Sequence, residues 1–200
     1  PLPIQHRVSD GTAWTYNNGA ATAGSPRVTI ASDSTGVVGL NAGSAHIGQV
    51  KTPIQFVTVD FTTDTSAQDA GDVIADTQVV TNATQANDVC AVLHSITVVD
   101  VDDQKAKLRL VLFTSNVSLG TEDAAPDIDD TEIQSVQGEV DIAVADYRDL
   151  GGASYAHKSN LGIVVSPATG TRNIFAALYS PDTSTPTYAG GHIYVRLGFI

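Results

Sequence analysis

The stretch "HIYVRLGFI", residues 192–200, decides how the rest of the chain is read. Its apolar residues fall on every second position: Ile193, Val195, Leu197 and Phe199. A β-strand sends successive side chains to opposite faces, so this period places one face in a core and leaves the other outside. Moving outward, "VTVDF" (57–61) sets Val57, Val59 and Phe61 against Thr58 and Asp60, and "KLRLVLF" (107–113) sets Leu108, Leu110 and Leu112 against Arg109 and Val111. "VIADTQVV" (73–80) and "VCAVLHSITVVDV" (89–101) are rich in β-branched residues, which suit a pleated surface. "LGIVV" (161–165) and "NIFAALYS" (173–180) are apolar enough to be central strands. Turn signals separate these runs: "DAGD" before 73, "DDQK" at 102–105, "SPATG" at 166–170 and "SPDTSTPTYAGG" at 180–191. No stretch carries a sustained helical stripe; the best short helical candidate is "AVADYRDL", 143–150. Eight or so strands at this spacing predict an all-β fold, an antiparallel β-sandwich or jelly-roll-like body. The edges of such sheets need protection, and pairing with sister subunits is one way to provide it.

The first quarter of the chain reads differently. Residues 1–52 hold Arg7, Arg27 and Lys51 against Asp10 and Asp33, a net of +1, whereas the whole 200-residue chain carries −12. Glycines and small polar residues separate brief apolar clusters there, as in "GSPRVTIASDSTGVVGLNAGSAHIGQVK", 24–51. Ordering so glycine-rich a stretch costs more backbone entropy than its few bulky side chains return. The expected organisation is therefore an extended N-terminal arm, 1–52, and a sandwich body, 53–200. The arm would be ordered by its own body, by sister copies or by a larger surface.

Composition narrows the classes of function. No basic run exists to displace counterions from phosphates, so no nucleic-acid partner is expected. No apolar run approaches 18 residues, so no membrane-spanning helix is expected, and no signal peptide is visible. The single Cys90 excludes an internal disulfide framework. It sits in an apolar run, where it would act as a small hydrophobe.

No catalytic constellation stands out. His6, His46, His94, His157 and His192 show no metal-ligand spacing, and there is no GxSxG elbow, P-loop or GxGxxG. No catalytic residue and no cofactor is therefore expected. The one concentration of chemistry is "EDAAPDIDDTE", 122–132, where Asp127, Asp129 and Asp130 could offer oxygens to a hard cation such as Ca²⁺. The EF-hand glycine and terminal glutamate spacing are missing, and a solvated acidic loop is the plainer reading.

At "FTTDTSAQDAGDVIADT", 61–77, the chain resembles a broad group of tailed-bacteriophage virion structural proteins. "KLRLVLFTS" (107–115), "DIDDTEIQSVQGEVDI" (127–142), "NIFAALYSPDTSTPTYAGGHIYVRLGFI" (173–200) and the arm phrase "PRVTIASDSTG" (26–36) follow the same pattern in order. These are strands and turns, not a reactive set. The resemblance implies a non-enzymatic role in virion structure: capsid decoration, cement or head fibre. The expected location is the virion surface, after synthesis in a bacterial cytoplasm. The expected partners are a major capsid protein and sister copies, as a homotrimer. Aromatic and Arg anchors dominate interface energies, so Trp14, Tyr16, Arg27, Ile30, Val37 and Val38 are the expected arm contacts. An alternative is a tail or fibre protein that binds host glycans through Trp14, Tyr155 and Tyr188.

Overall fold

The computed structural model describes residues 54–181 and 185–200. Nine strands make up the body: β1 (Gln55–Thr62), β2 (Val73–Val80), β3 (Ala91–Asp100), β4 (Leu108–Phe113), β5 (Val136–Ile142), β6 (Tyr147–Asp149), β7 (Ser154–Val165), β8 (Ile174–Tyr179) and β9 (His192–Phe199). There is no α-helix among the described residues, only 3₁₀ turns at Glu132–Ser135 and Val144–Asp146. The strands form a five-stranded sheet in the order β1-β9-β3-β7-β6 and a four-stranded sheet in the order β2-β8-β4-β5.

The pairing is nested along the chain. β1 lies antiparallel to β9, β2 to β8, β3 to β7 and β4 to β5. The body is thus one long antiparallel ribbon, folded back on itself between β4 and β5 and wound so that successive pairs alternate between the two sheets. That is a jelly roll, with the short β6 added beside β7. Hydrogen bonds between distant segments hold it: Gln55 faces Phe199 across β1–β9, and Ala91 faces Val165 across β3–β7.

The period-two residues set the core. Val59 and Phe61 from β1, Leu93, Ile96 and Val98 from β3, Leu108, Leu110 and Leu112 from β4, and Ile193, Val195, Leu197 and Phe199 from β9 meet between the sheets. Each such side chain contributes about 1.5–3 kcal/mol on full burial. A bulge between Leu93 and Ser95 takes up one residue in β3, and so keeps both Leu93 and Ile96 inward.

Several expectations change. "AVADYRDL" is not a helix: Val144–Asp146 form one 3₁₀ turn, and Tyr147–Asp149 then extend into β6. The Ala143 N–H donates to the Asp146 carboxylate (2.7 Å), closing a turn too short to propagate. "LGIVV" is not a central strand. β6 pairs only with residues 154–156 of β7, so in the five-stranded sheet residues 161–165 have β3 alone as a neighbour. Cys90 is exposed, because β3 begins one residue later and the pleat has not yet turned its side chain inward. "NIFAALYS" is central as expected, with β2 on one side and β4 on the other.

Candidate interaction surface

The two outer faces of the sandwich are finished in opposite ways. Over the four-stranded sheet, Val73 of β2, Val111 and Phe113 of β4 and Ala177 of β8 form an apolar patch. The connection from β4 to β5, residues 114–135, folds back over it and presses Val117, Leu119 and Ile128 onto it. The Asp76 carboxylate fixes this connection by accepting the Leu119 N–H (2.9 Å) and the Ser118 hydroxyl (3.0 Å). The Val73 N–H donates to Ala124 (2.8 Å), and Asp123 returns the bond to Val73 (3.1 Å). These bonds cover one edge of β2. The connection therefore turns Val117, Leu119 and Ile128 inward and leaves Asp123, Asp127, Asp129 and Asp130 exposed, a covering that carboxylate counting alone did not show.

Asp127, Asp129 and Asp130 all lie exposed on this connection. The Asp129 carboxylate is committed to the chain itself, accepting the N–H groups of Thr131 and Glu132 (both 2.7 Å) at the start of a 3₁₀ turn. Among the described residues, no three His, Cys, Asp or Glu side chains gather as a metal-ligating group.

The outer face of the five-stranded sheet has no such covering among the described residues. Its strand register lays out four rows. The first is Ile54, Ile200, Val92 and Val164; Ile200 and Val92 exchange backbone hydrogen bonds at 3.0 Å. The second is Phe56, Gly198, Ser95 and Ser159, with the Phe56 ring lying along Gly198. The third is Thr58, Arg196, Thr97 and His157, where the Thr97 hydroxyl and His157 Nδ1 stand 2.9 Å apart. The fourth is Asp60, Tyr194, Val99, Tyr155 and Arg148. Beside it, His192 Nδ1 lies 2.9 Å from Asp60, and the His192 and Tyr194 rings stack at 6.0 Å.

This face combines unusual exposure with unusual charge. Ile54 is 62 % exposed and Phe56 76 % at the β1 side of the face, and Val164 61 % at the far end of the first row, large apolar side chains left in water. In a chain of net charge −12, the only acid in these four rows is Asp60, against Arg196 and Arg148. The face is bounded by β1, which among the described residues pairs with β9 alone. Over eight residues β1 carries one charged side chain, Asp60, whereas the edge strand β5 carries Glu139 and Asp141. Charged side chains discourage pairing with foreign strands, so β1 is the less guarded edge.

Trp14, Tyr16, Arg27, Ile30, Val37 and Val38 lie outside the described residues. Of the aromatic residues proposed for glycans, Tyr155 lies half-buried on the bare face, but Tyr188 is fully buried in the core. Burial follows from the β8–β9 connection, which bends under itself where Gly191 adopts a positive φ and donates to the Tyr188 carbonyl (2.8 Å). Sequence reading missed the bare face because its rows come from strands far apart in the chain. Only the exposed Phe56 among alternating residues could have hinted at it.

No family model and no curated protein matches the chain. Among solved structures it is similar to a chain from the full particle of Israeli acute paralysis virus heated to 63 degrees. That overlay has 11 % identity and a TM-score of 0.30, and covers 96 % of this chain and 87 % of the other. It is also similar to a chain from a marine algae virus of the order Picornavirales, at 13 % identity and a TM-score of 0.30, covering 99 % of this chain and 88 % of that one. At these scores the overlays are loose, and neither bears on function.

Proposed function

We propose that this protein is a non-enzymatic structural component of a virus particle, of the capsid-decorating or cementing kind. The observation that carries the reading is the bare outer face of the five-stranded sheet, apolar at one end, short of acids, and bordered by the open edge of β1. A surface of this kind suits packing against another protein, and an acidic neighbour complements its charge; a second copy of this chain is such a neighbour. The jelly roll is a fold that viral capsid domains use, though lectins and cupins use it too. The sequence resemblance to phage virion proteins favours the first of these. In this reading the arm, 1–52, adds strands to a sister copy or to the major capsid protein, as extended segments do at open edges. Weak contacts repeated by symmetry then give firm attachment through avidity.

The experiment compares the full chain with a Phe56→Ser/Val164→Glu variant and with a chain lacking residues 2–50. Each is mixed with capsids stripped of this protein, and its sedimentation is measured alone and with capsids. Loss of capsid binding or of self-association in the altered chains is expected. Unchanged binding by both sinks the reading, and glycan-array binding that depends on Tyr155 would favour the adhesin alternative.

A further inference from the structure

The end of the sandwich where β3 finishes and β7 begins holds a concentration of buried polar atoms without partners among the described residues. Thr63 Oγ1, both amide atoms of Gln68, Asp103 Oδ1, Tyr147 OH, Ser154 Oγ and Tyr188 OH are buried and make no hydrogen bond among the described residues. Tyr188 is 0 % exposed, Ser154 1 % and Tyr147 6 %. The topology brings them together. Asp100 faces Ser154 across β3–β7, and Tyr147 faces Ala156, two residues further along the same strand. Tyr188 is tied over this end through Gly190, whose N–H donates to the Asp102 carboxylate (3.0 Å). Gln68 joins the same loop through its own N–H, which donates to Pro186 (2.9 Å).

Asp100 lies among these groups, itself 0 % exposed. Its carboxylate accepts the N–H of Asp102 (3.1 Å) and of Lys105 (2.7 Å), which folds the 101–105 turn over it. A carboxylate has about four lone-pair sites, so acceptor capacity remains. None of the three nearby hydroxyls reaches it directly. A buried polar group left without a partner costs about 1–3 kcal/mol, so several in one place require an occupant that can both donate and accept.

We infer that this end of the body encloses a short chain of ordered water molecules that links Tyr147, Tyr188 and Ser154 to the Asp100 carboxylate. The wet network then pins three connections at once: 101–107, 143–153 and 185–191. Burial raises the Asp100 carboxyl above its ordinary range and raises both phenols, which therefore stay neutral donors. Asp102 and Asp146 are the other acids that act on these groups, and their charges oppose loss of the phenolic protons.

The test uses the full chain carrying Tyr188→Phe, Tyr147→Phe and Asp100→Asn, singly and in pairs. Each Tyr→Phe change keeps the ring and removes only the hydroxyl. The melting temperature is expected to fall by about 2–4 °C for Tyr188→Phe. The midpoint of the Asp100 carboxyl-carbon NMR titration should rise, because a water-relayed donor is lost. In the Asp100→Asn background the same change should cost measurably less. Oxygen-17 relaxation dispersion should show long-lived water in the wild type and less of it in Tyr147→Phe/Tyr188→Phe. A melting temperature that holds or rises on removing the hydroxyl, or an Asp100 midpoint that stays put, overturns the inference.

Discussion

Arg109 stands on β4 with its guanidinium 2.6 Å from Asp141, 2.8 Å from the Tyr179 hydroxyl and 5.6 Å from the centre of that ring. The bond to Arg109 holds Asp141 below the usual carboxylate range. Bonds to Lys158 and Lys105 do the same for Asp146 and Asp149, and the Ser66 N–H does so for Asp64. A carboxylate whose folded pKa is lowered binds fewer protons folded than unfolded. Its stability is present above the unfolded value and is lost as pH falls through the folded one. Asp100 and Glu122, raised by burial, act the other way: what they contribute is complete at low pH and is lost as pH rises through their raised values. The melting temperature should therefore drop as pH falls below about 4, where ordinary carboxylates titrate. A chain carrying Asp141→Asn, Asp146→Asn and Asp149→Asn should drop less in circular-dichroism melts. These pairs are half in water, so the effect is modest. Gly138 is a separate residue-scale case: a Cβ there would meet the Ile163 Cγ2 at 2.9 Å. Gly138→Ala should cost about 1–3 kcal/mol in urea unfolding, the usual penalty for overpacking.

At the scale of elements, the connection 114–135 acts as a third layer. It has no strand of its own, yet Val117, Leu119 and Ile128 pack on the outer face of the four-stranded sheet and Asp76 bonds its backbone. Phe113, 0 % exposed, is the largest side chain beneath it. Phe113→Ala should cost about 3–5 kcal/mol, by lost burial and a cavity. Val117→Asp should leave the sheets folded but release the connection, so that limited proteolysis cuts first within 114–131. Cleavage at the same rate as in the wild type would show that the covering is held by its hydrogen bonds alone. This layering was half legible in the sequence. The acidic run announced itself, but Leu119 before it and Ile128 within it gave no periodic signal, because an irregular connection has no fixed period to read.

At the scale of the whole molecule, the described residues cover one outer face of the sandwich and leave the other bare. Surface substitutions away from packed features usually stay within about 0.5 kcal/mol, so Phe56→Ser/Val164→Glu should leave thermal stability nearly unchanged. If the bare face is an interface, that same variant should dissociate any oligomer in analytical ultracentrifugation. An oligomer that survives it would place the contact elsewhere, with β1 and the arm as the next candidates. The acids of the body, 53–200, work against association more over its other surfaces than at this face, so raising salt should strengthen contacts that acidic repulsion weakens and weaken those that Arg196 and Arg148 make.

The alternation in "HIYVRLGFI", "VTVDF" and "KLRLVLF" by itself determined an all-β body and named its core, because a strand's period of two is a local property that needs no partner to be read. The sequence also marked the turns, since Gly71 and the 102–105 turn obey local backbone rules. Which strands pair, that β6 and the first half of β7 exist, that Tyr188 is buried and that Ile54, Phe56, Ile200 and Val164 share one face were decided only by tertiary structure. Each of those depends on register between segments up to a hundred or more residues apart, and register is fixed by the winding of the whole ribbon rather than by any one strand.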